Sequence, residues 1–120
     1  MLYLMLLLHL LLPATGEPVE WLQEKTVTLP DTFRDEAISY TFRFRNVTDA
    51  PLLIDNVRIG CGCTATDWQE TPVAPGAEGS IKVTYDAASV GFYRKYVKVY
   101  FKGHRGGHRL WMEGFVEGSE

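Results

Sequence analysis

Two cysteines one residue apart, Cys61 and Cys63, have the widest scope for chemistry in this sequence. Three readings fit the spacing. Unpaired cysteine is among the most buried residue types, so the pair can be two small core residues. It can be a disulfide closing a tight Cys-Gly-Cys ring, with Gly60 and Gly62 allowing the unusual backbone. Disulfides need Cα atoms within about 6.8 Å, and residues i and i+2 of a flat strand sit near that limit, so such a ring would be strained. Finally, two thiolates on one face can hold a soft ion, copper(I) or zinc, although a metal site needs further ligands.

Beyond residue 16 the only histidines are His104 and His108, in the glycine-rich basic segment Lys102 to Arg109. That segment could take a phosphate or carboxylate on its amides and Arg105, but it lacks the following helix of a P-loop. The plain alternative is a solvated hairpin turn. No Ser-His-Asp or Cys-His arrangement and no distinct carboxylate pair can be assembled. The chain therefore reads as a non-enzyme, with Cys61 and Cys63 the one seat for thiol redox chemistry.

The elements that must position these residues are strands. Ile38, Tyr40, Phe42 and Phe44 alternate with Ser39, Thr41, Arg43 and Arg45, which puts the apolar set on one face. Ile81, Val83 and Tyr85 repeat the pattern, as do Val97, Val99, Phe101 and then Leu110, Met112, Gly114, Val116. Leu52 and Ile54 share one parity, and Val57, Ile59, Cys61 and Cys63 the other. A β-bulge near Asp55-Asn56 reconciles them. Turn-rich segments separate the runs. The pattern predicts an all-β, immunoglobulin-like Greek-key sandwich of about seven strands: 19–29, 37–46, 52–61, 66–73, 79–86, 94–102 and 108–117. In that topology the histidine loop and the cysteines lie at opposite ends, and residues 86–91 are the expected neighbours of the cysteines.

Several stretches carry a resemblance: FRFRNVTDAPLLIDNVRIGCGCTATDW, then PVAPGAEGSIKVTYD, then a Gly91 turn and LWMEGFV. They resemble the bacterial family known as domain of unknown function 1573, most specifically at Cys61-Gly62-Cys63-Thr64. The resemblance covers nearly all of residues 17–120 and implies an exported Ig-like fold. It implies no chemistry. Gly60 stands where relatives more often carry serine or another small polar residue. Asn46-Val47-Thr48 fits a glycosylation acceptor, but a bacterial family makes this a chance match.

Met1 to Leu12 is apolar and uncharged, and Pro13 and Ala14-Thr15-Gly16 follow. A run this short does not reach the roughly 20 residues of a bilayer span but suits the core of a secretory signal. The expected domains are a signal peptide at 1–16, lacking the usual basic start, and a mature domain at 17–120. The chain is then exported to the periplasm, cell surface or medium, with no membrane span in the mature part. Export would place the cysteines in an oxidising compartment. The formal net charge of −3 with dispersed basic residues sets nucleic acid aside.

The last two strands should form a hairpin whose outer rows are Arg94, Tyr96, Lys98, Tyr100 and Arg109, Trp111, Glu113, Phe115. Pairing Tyr100 with Arg109 would set Lys98 opposite Trp111, Tyr96 opposite Glu113 and Arg94 opposite Phe115. The plain alternative is that these aromatics favour strands and pack across the hairpin; contiguous exposed aromatics also often mark a partner surface, and Tyr, Trp and Arg dominate binding hot spots. Expected is a non-catalytic envelope module that binds or scaffolds a protein or surface glycan through Arg94, Tyr96, Lys98, Tyr100, Arg109, Trp111 and Phe115. The alternative is a thiol redox or copper-handling protein using Cys61 and Cys63. No cofactor is expected otherwise.

Overall fold

The computed structural model describes residues 16–118. Residues 1–15 of the expected signal peptide lie outside them. The described chain forms nine strands and no helix: β1 Val19–Trp21, β2 Thr26–Thr28, β3 Thr32–Phe33, β4 Ile38–Asn46, β5 Ile54–Ile59, β6 Thr64–Trp68, β7 Glu78–Tyr85, β8 Gly91–Phe101 and β9 Gly107–Glu117. One sheet runs β1-β4-β7-β6, the other β2-β9-β8-β5, with β3 also pairing β9. This is the two-sheet partition of an immunoglobulin-like sandwich.

The expected first strand, 19–29, is two. β1 pairs antiparallel with β4, and β2 then crosses to the other sheet to run parallel to β9. The break falls at Leu22 to Lys25, where the backbone pairs across both sheets: the Leu22 amide donates to Arg43 and the Trp111 amide to the Lys25 carbonyl. A short β3 beside the end of β9 makes the ninth element. The expected strand 66–73 begins two residues earlier and stops at Trp68, leaving Val73 in an isolated bridge to Leu52.

The alternation does place the core. Phe42 and Phe44 are wholly buried and Arg43 is exposed. Ile81, Val83, Val97, Val99, Phe101, Leu110, Met112 and Val116 close the interior between the sheets. Rings interlock across it: Phe44 meets Phe101 edge-on at 5.2 Å between centroids, and Trp21 meets Phe44 at 5.6 Å. The register of β5 against β8 shifts between Ile54 and Asn56, so Asp55 is the bulged residue and the phase change at 54–57 has its physical cause.

Two glycines face the core because rings lie over them. A Cβ on Gly114 would stand 2.7 Å from the Tyr93 hydroxyl, and one on Gly79 would collide with the Phe44 ring. The central glycine of the closing strand is thus a slot for Tyr93, which also stacks on Tyr85 at 4.3 Å. Asn46 is wholly buried and fully used. Its amide nitrogen donates to the Ala50 and Val73 carbonyls, and its side-chain oxygen accepts from the Thr48 amide and hydroxyl. The side chain that fitted a glycosylation acceptor instead holds the loop after β4 closed.

Candidate functional site

Strands β8 and β9 form the antiparallel hairpin that carries the candidate face, but its register differs from expectation. Arg109 pairs with Lys98, Trp111 with Tyr96, Glu113 with Arg94, and Phe115 with Phe92; Tyr100 pairs with Gly107. The shift is two residues, so the assignment of rows to inner and outer faces survives. Its cause is the turn. Gly103 and Gly106 take φ of +82° and +81°, a left-handed conformation that glycine adopts without steric cost. The turn closes over residues 102–106, and His108 is drawn into β9 opposite Val99.

This register brings cations and rings into one row, a ladder: Arg94 and Arg109 each reach a ring diagonally across the hairpin, and Trp111 and Tyr96 face each other at a tilt. The Arg94 guanidinium lies 4.0 Å from the Trp111 ring centroid, Trp111 lies 4.9 Å from Tyr96, and the Arg109 guanidinium lies 5.1 Å from Tyr96. Each ring therefore sits next to a cation, where attraction between charge and π-face gives about 0.5–1 kcal/mol at exposed sites. Lys98 lies 5.5 Å from the Tyr100 ring. Hydrogen bonding from Arg58, then Lys98, holds the Tyr100 phenol below its ordinary pKa. Arg94 also pairs with Glu113 at 3.2 Å, and the Thr28 hydroxyl from β2 donates to that same carboxylate.

Tyr96, Trp111, Tyr100 and Phe115 are half-buried, and Arg94 and Arg109 are exposed. Phe92 was missed: its ring is 88% exposed and packs edge-on against Phe115 at 4.8 Å. It was lost because the expected strand began at residue 94, whereas β8 begins at Gly91. A shallow pocket lined by Thr28, Phe92, Arg94 and Glu113 adjoins the ladder.

Cys61 and Cys63 lie past the end of β5, in a turn and not on a strand. Their sulfurs are bonded and their Cα atoms are 5.3 Å apart, inside the ordinary range. The pair sits in the turn after Gly60, whose amide still donates to the Tyr96 carbonyl of β8, and not on the flat strand of the expectation. Nor are they buried core residues: both are half-buried, and Cys63 alone packs against the core. The Asp86 amide donates to the Cys63 carbonyl at 2.9 Å, which seats the turn beside residues 86–91 as expected. Among the described residues no group of three His, Cys, Asp or Glu side chains comes together to hold a metal ion.

His108 is buried, not a loop residue. Its Nδ1 accepts from the Trp21 indole N–H at 3.3 Å, and the Glu17 carboxylate lies 3.7 Å away. Burial, with a smaller contribution from Lys25 and opposed by Glu17, pushes its pKa below the ordinary value. The signal was present: His108 has the parity of Leu110, Met112 and Val116. His104 and Arg105 stay exposed in the hairpin turn.

Solved structures with this fold come from unlike proteins. A protein of unknown function from Porphyromonas gingivalis W83 superposes with a TM-score of 0.67 at 14% identity, over 81% of this chain and 46% of that one. An ASH/PapD-like domain of human CEP192 gives 0.67 at 16% identity, over 93% and 96%. The Vibrio cholerae protease VesB gives 0.63 at 14%, over 84% and 32%. The chain thus spans about half of the first protein and a third of the last. At such identities the likeness is one of fold. No curated protein matches the sequence. The sequence pattern of the proteins of unknown function DUF1573 matches residues 20–116, and the chain belongs to that family.

Proposed function

We propose that this protein is a non-catalytic exported module that binds a protein or glycan of the cell envelope through the outer face of β8 and β9. The single observation that carries this reading is the ladder Arg94–Trp111–Tyr96–Arg109. Rings and guanidinium groups already in mutual contact lose less side-chain entropy on binding. Arg58, Lys98 and Arg109 add positive charge on a chain whose net charge is negative. The partner this favours presents flat apolar surface and carboxylate or other anionic groups.

The test is binding of the purified protein to a panel of anionic and neutral envelope oligosaccharides and to envelope proteins, followed by tryptophan emission. A partner should bind wild type and lose at least about tenfold in affinity to Trp111→Ala, the size of a hot-spot loss. Binding that is untouched by Trp111→Ala, Tyr96→Ala and Arg109→Ala would place the interface elsewhere. Export is tested separately by fusing residues 1–20 to a reporter active only outside the cytoplasm. A silent fusion would remove the envelope from this reading.

A further inference from the structure

We infer that Cys61–Cys63 is a thiol–disulfide exchange site for protein or peptide dithiols, with Cys61 as the sulfur that partners attack and Cys63 as the resolving sulfur. The pair is poorly suited to be a staple. A disulfide stabilises mainly by restricting the unfolded chain, and the restriction grows with the loop it closes. Here one residue lies between the cysteines. Neither cysteine is among the buried residues of the interior, and Cys63 only packs against them.

The two sulfurs occupy different surroundings. Cys63 packs against the core. Cys61 instead lines an open cleft with Gly60, Arg94, Lys95 and Tyr96. The Cys63 amide donates to Cys61 Sγ at 3.1 Å. An N–H aimed at sulfur and a cation nearby both favour a thiolate over a thiol. Lys95 makes no ion pair among the described residues, so its charge is available to the cleft.

The turn is also anchored apart from the sulfurs. The Thr64 amide and hydroxyl both donate to the Cys61 carbonyl, at 3.3 and 3.2 Å. Asp86 holds the Cys63 carbonyl, and the Gly60 amide donates to the Tyr96 carbonyl at 3.3 Å. None of these bonds involves sulfur, so they persist when the disulfide opens and keep both thiols side by side. Gly62 has open space where a Cβ would stand, so no other described part of the chain covers the turn there.

The exchange balances without a cofactor. A partner thiolate attacks Cys61 Sγ, the Cys61–Cys63 bond breaks, and Cys63 leaves as a thiolate that takes up a proton. The partner's second thiolate then attacks its own sulfur in the mixed disulfide. Cys61 leaves as the thiolate stabilised by the Cys63 amide and Lys95. One partner dithiol is oxidised to a disulfide and the Cys61–Cys63 disulfide is reduced to a dithiol; the reverse sequence reduces a partner disulfide.

The probe is glutathione. The native protein should pass between oxidised and reduced forms in glutathione buffers, with an unchanged far-UV circular dichroism spectrum. Reduced Cys63→Ser should form a mixed disulfide with oxidised glutathione at least about tenfold faster than reduced Cys61→Ser, because only Cys61 faces the cleft and is activated. Lys95→Gln should slow the reaction at Cys61 a few-fold. Should either serine variant fail to fold, full reduction of wild type under native conditions, then brief alkylation with limiting reagent and mass spectrometry, reads the same preference, with Cys61 labelled first. Reduction that requires denaturant, reduction that unfolds the domain, or equal reactivity of the two sulfurs would overturn the inference.

Discussion

The two outer faces of the sandwich share a geometry and differ in what covers them. On the β1-β4-β7-β6 sheet the outward residues are Ser39, Thr41, Arg43, Arg45, Ser80, Lys82, Thr84, Ala65 and Asp67, and none is aromatic. Ser39 and Thr84 bond hydroxyl to hydroxyl at 2.7 Å, and Arg45 sits between Glu20 and Glu78. On the other sheet the corresponding rows of β8 and β9 carry Phe92, Tyr96, Tyr100, Trp111 and Phe115 among cations. Both faces satisfy the alternation that folding requires. Only one carries large rings that the buried core does not use, and on the proposed reading they serve a partner.

The sharpest break of this comparison sets an inner ring against an outer one. Phe42→Ala, in a wholly buried site, should cost about 3–5 kcal/mol in chemical denaturation, as large-to-small core changes do. A cost under about 1 kcal/mol would mean that the inner face of β4 is not core. Next in size is Gly114→Val, which drives a side chain into Tyr93. Overpacking of this kind costs about 1–3 kcal/mol, and Tyr93→Ala in the same chain should relieve much of the clash. A double variant no better than the sum of the two singles would contradict the slot described for Tyr93.

His108 sharpens the comparison from inside. Its folded-state pKa is lowered, chiefly by burial. The unfolded chain therefore binds the proton more readily than the folded one. Stability should be fully present above the unfolded value of about 6.5 and fall as pH drops through it toward the lower folded value. Protonation would also turn Nδ1 into a donor and end the bond from Trp21. Melting temperatures of wild type and His108→Gln across this range read the effect. The variant should lack the decline, and parallel profiles would assign the acid sensitivity to other groups.

How far these contrasts were legible in the sequence varies residue by residue. Phe42 and Phe44 announce their face because strict alternation leaves no other burial, and the bulge at Asp55 is forced by the phase change after Ile54. The crossing from β1 to β2 left no trace, since Leu22 to Lys25 reads as an ordinary polar interruption. The hairpin register was off by two because it depends on the φ angles of Gly103 and Gly106, which glycine content alone does not fix. The role of Asn46 was hidden for a similar reason: its four partners are backbone or loop groups that only the folded turn gathers. Cys61 and Cys63 could be narrowed to three chemistries, with two buried core residues the leading expectation; the disulfide replaces it, because the choice rests on where the chain leaves β5.

The smallest expected stability effect lies on the outer face. Trp111→Ala removes a half-buried ring and its contacts with Tyr96 and Arg94, which should cost about 1 kcal/mol, in the range of single aromatic-pair and cation–π contacts. A loss comparable to that of Phe42→Ala would show that the ladder is a structural layer and not a surface held ready for a partner.

The central claim is that the β8–β9 outer face meets a partner and the opposite outer face does not. Site-specific photo-cross-linking in intact cells tests it most directly, with benzoylphenylalanine placed at Tyr96 or, as the counterpart, at the exposed Lys82 of β7. A discrete adduct should form from position 96, be lost on adding Arg109→Ala, and be absent from position 82. Equal adducts from both positions, or an adduct from position 82 alone, would contradict it.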